Sequence, residues 1–241
     1  MYGMYGYGYG YGLDPTIILV LIGVALSLWA QGRVNSTFSR YSRVRSMTGM
    51  TGAEAARRLL NAQGIYDVTV QQIAGELTDH YDPRTKTVNL SQSVYGATSV
   101  AAIGVAAHEC GHAMQDNEGY APLRFRSALV PVANFGSSLS WPLILLGLVF
   151  GGLGSPLVEI GILMFSLAVL FQLVTLPVEY NASARAVRLL DAQGILAGEE
   201  VNGTRKVLNA AALTYVAAAV TSILQLLRLI ILFGGRNRRD R

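Results

Sequence analysis

The sequence of 241 residues is poor in charged residues, cysteine and histidine. Charged side chains make up only 14% of the chain, against about a quarter in ordinary soluble domains, and the mean hydropathy is +0.37. This scarcity of charge excludes an ordinary soluble domain and predicts a membrane protein. The single cysteine excludes a disulfide framework within the chain and is consistent with a cytoplasmic catalytic face. The formal net charge of +4 is explained by arginines that flank apolar segments, so no nucleic-acid partner is predicted.

Two of the three histidines lie in one H-E-x-x-H motif, formed by His108, Glu109 and His112, in an apolar run that begins near Thr98. The run predicts one helix, on which residues four apart lie on the same face and can bind one metal ion. Zinc, with one ion per chain, is the metal that two imidazoles favour. Glu109 is placed to take a proton from water at the metal. The alternative is a pair of solvated histidines on an amphipathic helix.

Two histidines leave a catalytic zinc one protein ligand short, and the third must be His, Cys, Asp or Glu. Glu179 is the favoured candidate, because Pro177 predicts that a new helical segment begins there at the membrane surface. A glutamate that interacts with the dipole at a helix N-terminus is the alternative explanation. Asp191, more than three turns further along the same predicted helix, is the rival ligand.

A small sheet is predicted before the motif. Residues 66–73 predict one strand, and Thr78 to Leu90 predict a hairpin whose turn is Asp82-Pro83-Arg84-Thr85. The hairpin is the candidate edge at which an extended substrate peptide adds as a strand. His80 lies on it, and two roles are equally weighted: donating a hydrogen bond to the oxyanion, or being an ordinary surface histidine.

The predicted fold class is a mainly α membrane protein with transmembrane helices and an α+β zincin-like catalytic domain, in which the H-E-x-x-H helix packs with a small antiparallel sheet. Within the catalytic region, Thr51 to Glu54 form a capping-box pattern that predicts a helix stopped by Gly64. The expected parts are a tyrosine- and glycine-rich tail at 1–12, a transmembrane helix at 13–32, a zincin-like catalytic region at 33–136, a transmembrane hairpin at 137–177, a helix with the third zinc ligand at 178–206, an apolar helix at 207–233 and a basic tail at 234–241.

Arginines follow the first apolar segment directly, whereas no Lys or Arg precedes it. This asymmetry predicts a multi-pass protein of the cell membrane with its catalytic side in the cytoplasm. The last apolar segment, 207–233, is long enough to cross, but a crossing would put Arg228 at membrane depth and the final arginines outside. A helix that lies along the interface over the catalytic domain is therefore favoured, with a full crossing as the close alternative.

Five stretches resemble the YugP-like bacterial membrane zinc metallopeptidases. They extend from the hairpin to the C-terminal helix and are Thr78–Lys86, Ala106–Ala113, Leu129–Pro131, Val174–Ser183 and Ala210–Ala217. The resemblance implies a zinc-dependent membrane protease with His108 and His112 as ligands and Glu109 as the general base. It also strengthens His80 and Glu179 as site residues.

The order of H-E-x-x-H motif, membrane hairpin and glutamate further resembles the HtpX membrane proteases, which have a gluzincin arrangement. In that group an aspartate commonly follows the ligand glutamate by four residues, whereas Ser183 occupies this position here. This difference affects the residues that orient the metal ligands and leaves the ligands themselves unchanged.

The predicted function is a zinc-dependent membrane endopeptidase that acts on peptide or membrane-protein substrates in a lipid bilayer. One alternative is an intramembrane protease of the site-2 class, with Asp191 in place of Glu179 as the third ligand. Another is a non-catalytic membrane scaffold that keeps zinc for stability. The sequence is compatible with an oligomer as well as with a monomer.

Overall fold

The computed structural model describes residues 14–152 and 155–234, most of which are helical. The tail at 1–12 and nearly all of the basic tail at 234–241 lie outside these residues. The predicted fold class, a mainly α chain with a small sheet, is confirmed. The elements are α1 (Ile17–Tyr41), α2 (Gly52–Ala62), β1 (Thr69–Ile73), β2 (His80–Asp82), β3 (Thr87–Ser91), α3 (Gln92–Tyr95), α4 (Val100–Asn117), α5 (Ala121–Gly151), α6 (Pro156–Ala192) and α7 (Glu199–Phe233).

The small sheet has the strand order β1-β3-β2. The predicted hairpin is present, because β2 and β3 are antiparallel and Asp82 accepts a hydrogen bond from the Arg84 backbone N–H in the turn. However, β1 pairs with β3 in parallel, with Val70 opposite Val88, so the sheet is mixed and not purely antiparallel. The chain reverses direction between β1 and β2 and reverses again in the hairpin between β2 and β3. The strand β3, which lies between the other two in the sheet, therefore runs in the same direction as β1.

A compact core joins α2, the sheet and α4. Thr51 and Glu54 form the predicted capping box, and α2 ends just before Gly64, whose φ of 70° is accessible to glycine at little cost. Leu59 and Leu90 are fully buried in this core. The core thereby fixes α4, the helix that carries the H-E-x-x-H motif, against the sheet.

Four helices are long and apolar enough to cross a membrane by length and composition: α1, α5, α6 and α7. Only 11% of the apolar window of α1 and 17% of that of α6 are buried. Large apolar side chains face outward along these helices; Leu28, Val149 and Phe150 are 69%, 74% and 80% exposed. Apolar surface on this scale is favourable in lipid and costly in water.

The predicted membrane hairpin corresponds to the helix pair α5 and α6, and α6 continues well beyond the predicted hairpin end. Pro177 lies inside α6, so the prediction that a new helical segment begins at this proline is wrong. Pro177 has no N–H to donate to the Leu173 carbonyl oxygen one turn earlier. Proline inside an apolar helix is tolerated where neighbouring helices surround it, and α6 packs against both α5 and α7. One continuous helix therefore carries Glu179 from the apolar region towards the core.

The last helix, α7, packs antiparallel along α1. The Thr221 hydroxyl hydrogen-bonds the Gly23 carbonyl oxygen at 3.1 Å. Near the far ends of the two helices, Arg228 Nη2 lies 3.3 Å from Asp14 Oδ2. The preference for an interfacial position of α7 had two grounds, the final arginines on the outer side and Arg228 at membrane depth. The structure answers the second, because Asp14 is the partner of Arg228; the residues after 234 lie outside the described part of the chain.

Candidate metal centre

The H-E-x-x-H motif lies on α4, as predicted. The helix begins after Ser99, whose hydroxyl oxygen accepts a hydrogen bond from the Ala102 N–H and caps the first turn. His108 and His112 lie one turn apart, and their ring centroids are 4.8 Å apart with the planes nearly perpendicular. Both rings therefore face the same neighbouring element, α6.

Glu179 of α6 meets the two imidazoles. Its Oε2 lies 3.2 Å from His108 Nε2 and 3.5 Å from His112 Nε2, and the ligand atoms of the three residues all lie within 4.8 Å of one another. Two atoms that bind one tetrahedral zinc at about 2.1 Å are about 3.4 Å apart. The two Glu179 distances therefore match the spacing of zinc ligands, and the three residues supply the imidazole and carboxylate groups that zinc binds.

Each imidazole is oriented by a hydrogen bond from its other nitrogen. His108 Nδ1 lies 3.1 Å from Ser183 Oγ, and His112 Nδ1 lies 3.0 Å from Gln115 Oε1. An Nδ1–H that donates to these oxygens leaves the Nε2 lone pair free for a metal. Ser183, which stands where HtpX proteases commonly have aspartate, thus contacts the first imidazole directly.

Gln115 is buried completely and joins α4 to α6. Its Nε2 donates to the Val178 carbonyl oxygen at 2.8 Å and to Asn181 Oδ1 at 3.0 Å. These two acceptors determine which end of the amide is nitrogen, so Oε1 must face His112. The same side chain therefore positions the second imidazole and the helix that carries Glu179.

Electrostatics at this point favour a cation. Burial by itself lowers the pKa of His112, but its hydrogen bond to Glu179 and the negative charges of Glu109 and Glu179 outweigh burial, so the net pKa is raised. The same carboxylate already attracts one cation from its other oxygen, because Arg126 Nη2 of α5 lies 3.9 Å from Glu179 Oε1. The position between the imidazoles and the carboxylate thus attracts positive charge.

Close contact of α4 with α6 depends on Gly111. A Cβ at this position would lie 2.6 Å from the Ala182 carbonyl oxygen, a backbone atom that cannot move without the helix. The glycine between the two histidines therefore lets the imidazoles approach Glu179.

Replacing Gly111 with alanine is expected to destabilise the protein by about 1–3 kcal/mol through overpacking and to weaken zinc binding, because α6 must move away from α4. Gly32→Ala on α1 is the matched control, since a Cβ there meets nothing within 4 Å. Thermal unfolding and zinc titration of both variants measure the effects. Equal zinc affinity in the two variants would contradict the proposed dependence on this contact.

A cavity of about 150 Å³ opens beside His108 and Glu179, two of the three candidate ligands. Glu109 faces it and is only 8% exposed. Tyr215 of α7 also lines it, and the phenol is within interaction range of Glu179. The cavity therefore combines candidate metal ligands, a carboxylate and a phenol hydroxyl.

Two predicted site residues do not join this cavity. His80 is exposed on β2; its Nδ1 is 2.9 Å from the Thr78 carbonyl oxygen and its Nε2 is 3.2 Å from Asn89 Nδ2, so both ring nitrogens already have partners. The structure does not bring His80 to the position predicted for an oxyanion donor. Asp191 lies twelve residues beyond Glu179, about 18 Å along a helix of 1.5 Å rise, and lines a different cavity.

Sequence reasoning missed Gln115 and Tyr215. Gln115 follows His112 by three residues, a helical spacing that could have indicated contact between them. Tyr215 comes from a helix more than a hundred residues after the motif. Only its place in a stretch with family resemblance pointed to it.

Comparisons with known proteins identify a related family and a related protein. A family model described as "Putative neutral zinc metallopeptidase" matches residues 16–234. The chain is 49% identical over 222 residues to the "Putative membrane protease YugP" of Bacillus subtilis (strain 168), covering 92% of this chain and 98% of the relative. No solved structure matches the chain significantly.

Proposed function

The chain belongs to this family of zinc metallopeptidases, and on that premise we propose that it is a zinc-dependent membrane endopeptidase. The observation that carries the proposal is the meeting of three ligand atoms from His108, His112 and Glu179 within 4.8 Å of one another. Glu109 faces the cavity beside them. These are the parts that hydrolysis of a peptide bond by activated water requires.

The roles follow from the contacts. His108, His112 and Glu179 would hold zinc, with Ser183 and Gln115 fixing the imidazoles. Zinc at this position would lower the pKa of water and polarise the scissile carbonyl group. The Glu109 carboxylate accepts the proton of the attacking water and passes it to the leaving amine, which keeps the proton count balanced.

Tyr215 is the proposed donor to the oxyanion that forms at the carbonyl carbon. Its phenol lines the cavity from α7 and lies within interaction range of Glu179. A donor aimed at developing negative charge lowers the barrier more than it strengthens substrate binding. This assignment replaces His80, whose ring nitrogens are occupied elsewhere.

Tyr215→Phe is expected to lower kcat by roughly 10²-fold while KM and zinc content change little. The phenylalanine keeps the ring that packs in the cavity and removes only the hydroxyl. Steady-state peptide cleavage and metal analysis separate the two effects. A loss of zinc, or a change confined to KM, would assign Tyr215 to ligand positioning or substrate binding instead.

The membrane placement is part of the proposal. With α1, α5, α6 and α7 crossing, α2, the sheet and α4 lie on the side at which α1 ends. Arg33, Arg40, Arg43 and Arg45 lie on that side, so the charge rule favours the cytoplasm. The crossing of α7 is favoured by its packing along α1 and by the Arg228–Asp14 pair.

Metal removal tests the function. The full chain, purified in lipid nanodiscs, is expected to contain one zinc per chain and to cleave an unfolded protein such as casein. Chelation should abolish cleavage, and added zinc should restore it. Zinc bound at one per chain without cleavage of unfolded or membrane substrates would favour the non-catalytic scaffold.

A further inference from the structure

Another cavity, larger than the one beside Glu179, lies where α1, α6 and α7 meet, at the end of α1 that leads into the catalytic region. Its volume is about 690 Å³. Arg33, Ser36, Thr37 and Arg40 line one wall, and their spacing of three, four and seven residues places them on one face of α1. Lys206 of α7 lies on the other wall. We refer to this cavity as the basic pocket.

The basic pocket concentrates positive charge without a compensating carboxylate. None of the residues that line it is acidic. Arg33, Arg40 and Lys206 are exposed, and within residues 14–152 and 155–234 no ion pair includes any of them. Like charges that share a pocket repel one another, so an anion bound between them is stabilised.

The pocket lies at the depth of lipid headgroups when the four long helices span. The apolar part of α1 ends at Ala30, just before Arg33. Because α7 runs antiparallel to α1, with Thr221 beside Gly23 and Gly203 beside Tyr41, Lys206 lies near the level of Arg40, about two turns from that boundary. Leu213, about two turns further along α7, also lines the pocket on its membrane side. The pocket is therefore cationic at the surface and apolar towards the hydrocarbon.

We propose that the basic pocket binds the phosphate group of an anionic phospholipid. Arginine forks match phosphate oxygens, and the hydroxyls of Ser36 and Thr37 can donate to the same group. Free phosphate shares this chemistry, but the apolar end at Leu213 suits an acyl chain and offers nothing to an inorganic ion. The proposal rests on the spanning arrangement of the proposed function and not on its catalytic chemistry.

The test counts lipids on the full chain by native mass spectrometry, after incubation with phosphatidylglycerol or phosphatidylcholine. Wild type is expected to retain one phosphatidylglycerol and no phosphatidylcholine. The combined variant Arg33→Gln, Arg40→Gln, Lys206→Gln should bind phosphatidylglycerol roughly 100-fold more weakly, at about fivefold per basic residue. The control, with the same change in net charge, is Arg43→Gln, Arg84→Gln, Arg124→Gln; none of these residues lines the pocket.

Three results would overturn the proposal. Equal losses in the pocket variant and the control would show diffuse attraction to anionic lipid. Retention of phosphatidylcholine as strongly as phosphatidylglycerol would remove the role of charge. Displacement of the lipid by millimolar inorganic phosphate, or by an acidic peptide, would assign the pocket to a free anion or to a protein segment.

Two further variants keep the test decisive. Lys206→Gln alone changes one exposed side chain and should weaken lipid binding about fivefold; wild-type binding in this variant would count against the pocket. Glu109→Gln should retain the lipid fully. This result separates failure of the lipid site from failure of the proposed catalytic site, because lipid retention does not require peptide cleavage.

Discussion

Replacing Glu109 with glutamine is expected to lower the rate of peptide cleavage by roughly 10³-fold while zinc remains at one per chain. Glutamine has nearly the same shape as glutamate, so it fits the same buried position beside the cavity. Its amide cannot accept the proton of the attacking water. His108, His112 and Glu179 are unchanged in this variant, so metal binding is preserved.

The measurement combines zinc analysis with cleavage of an unfolded protein by equal amounts of wild type and variant in nanodiscs. Gln63→Glu, at an exposed position just after α2, is the control for purification and reconstitution, since Gln63 does not line the cavity. Activity of the Glu109→Gln variant within tenfold of wild type would remove Glu109 as the general base. Loss of zinc in the same variant would show that the residue acts through the metal ligands instead.

Local sequence signals predicted local structure well. The motif helix, its start near Thr98 and the capping box at Thr51 depend on hydrogen bonds between residues three or four apart, and the structure confirms them. The turn at Asp82 is equally local and is also present. These features could be predicted because a few neighbouring side chains determine them.

The remaining features depend on contacts between distant parts of the chain. Asp14 and Arg228 are 214 positions apart, and neither sequence neighbourhood indicates that they pair. Without that partner, Arg228 argued against a crossing of α7. The parallel pairing of β1 with β3 and the approach of Tyr215 to the cavity are likewise set by packing of whole elements. No local periodicity encodes them.

The prediction of a new helical segment at Pro177 failed for a different reason. Proline removes one backbone donor and usually ends a helix in water, which made a new segment the natural expectation. In an apolar helix that packs against neighbours, breaking the helix would free several more backbone groups than the proline itself does. The helix therefore continues, and Glu179 lies inside one continuous helix instead of near the start of a separate one.

Replacing Glu179 with glutamine is expected to lower the affinity for zinc by more than about 100-fold, the upper range for loss of a group that only supports a ligand. The carboxylate contributes an oxygen 3.2 Å and 3.5 Å from the two Nε2 atoms, together with a negative charge that favours a cation. A neutral amide supplies a weaker oxygen and no charge. Cleavage should disappear with the metal.

The matched variant is Asp191→Asn, which makes the same chemical change on the same helix, about 18 Å further along by the helical rise. It should bind zinc and cleave substrate as wild type does, because Asp191 lines a different cavity. Zinc titration of the two purified variants therefore compares one carboxylate with the other directly. If Asp191→Asn lost the metal and Glu179→Gln kept it, the arrangement of the site-2 class would replace the one proposed here. If both variants kept it, two imidazoles alone would hold the ion, and α6 would have no part in binding it.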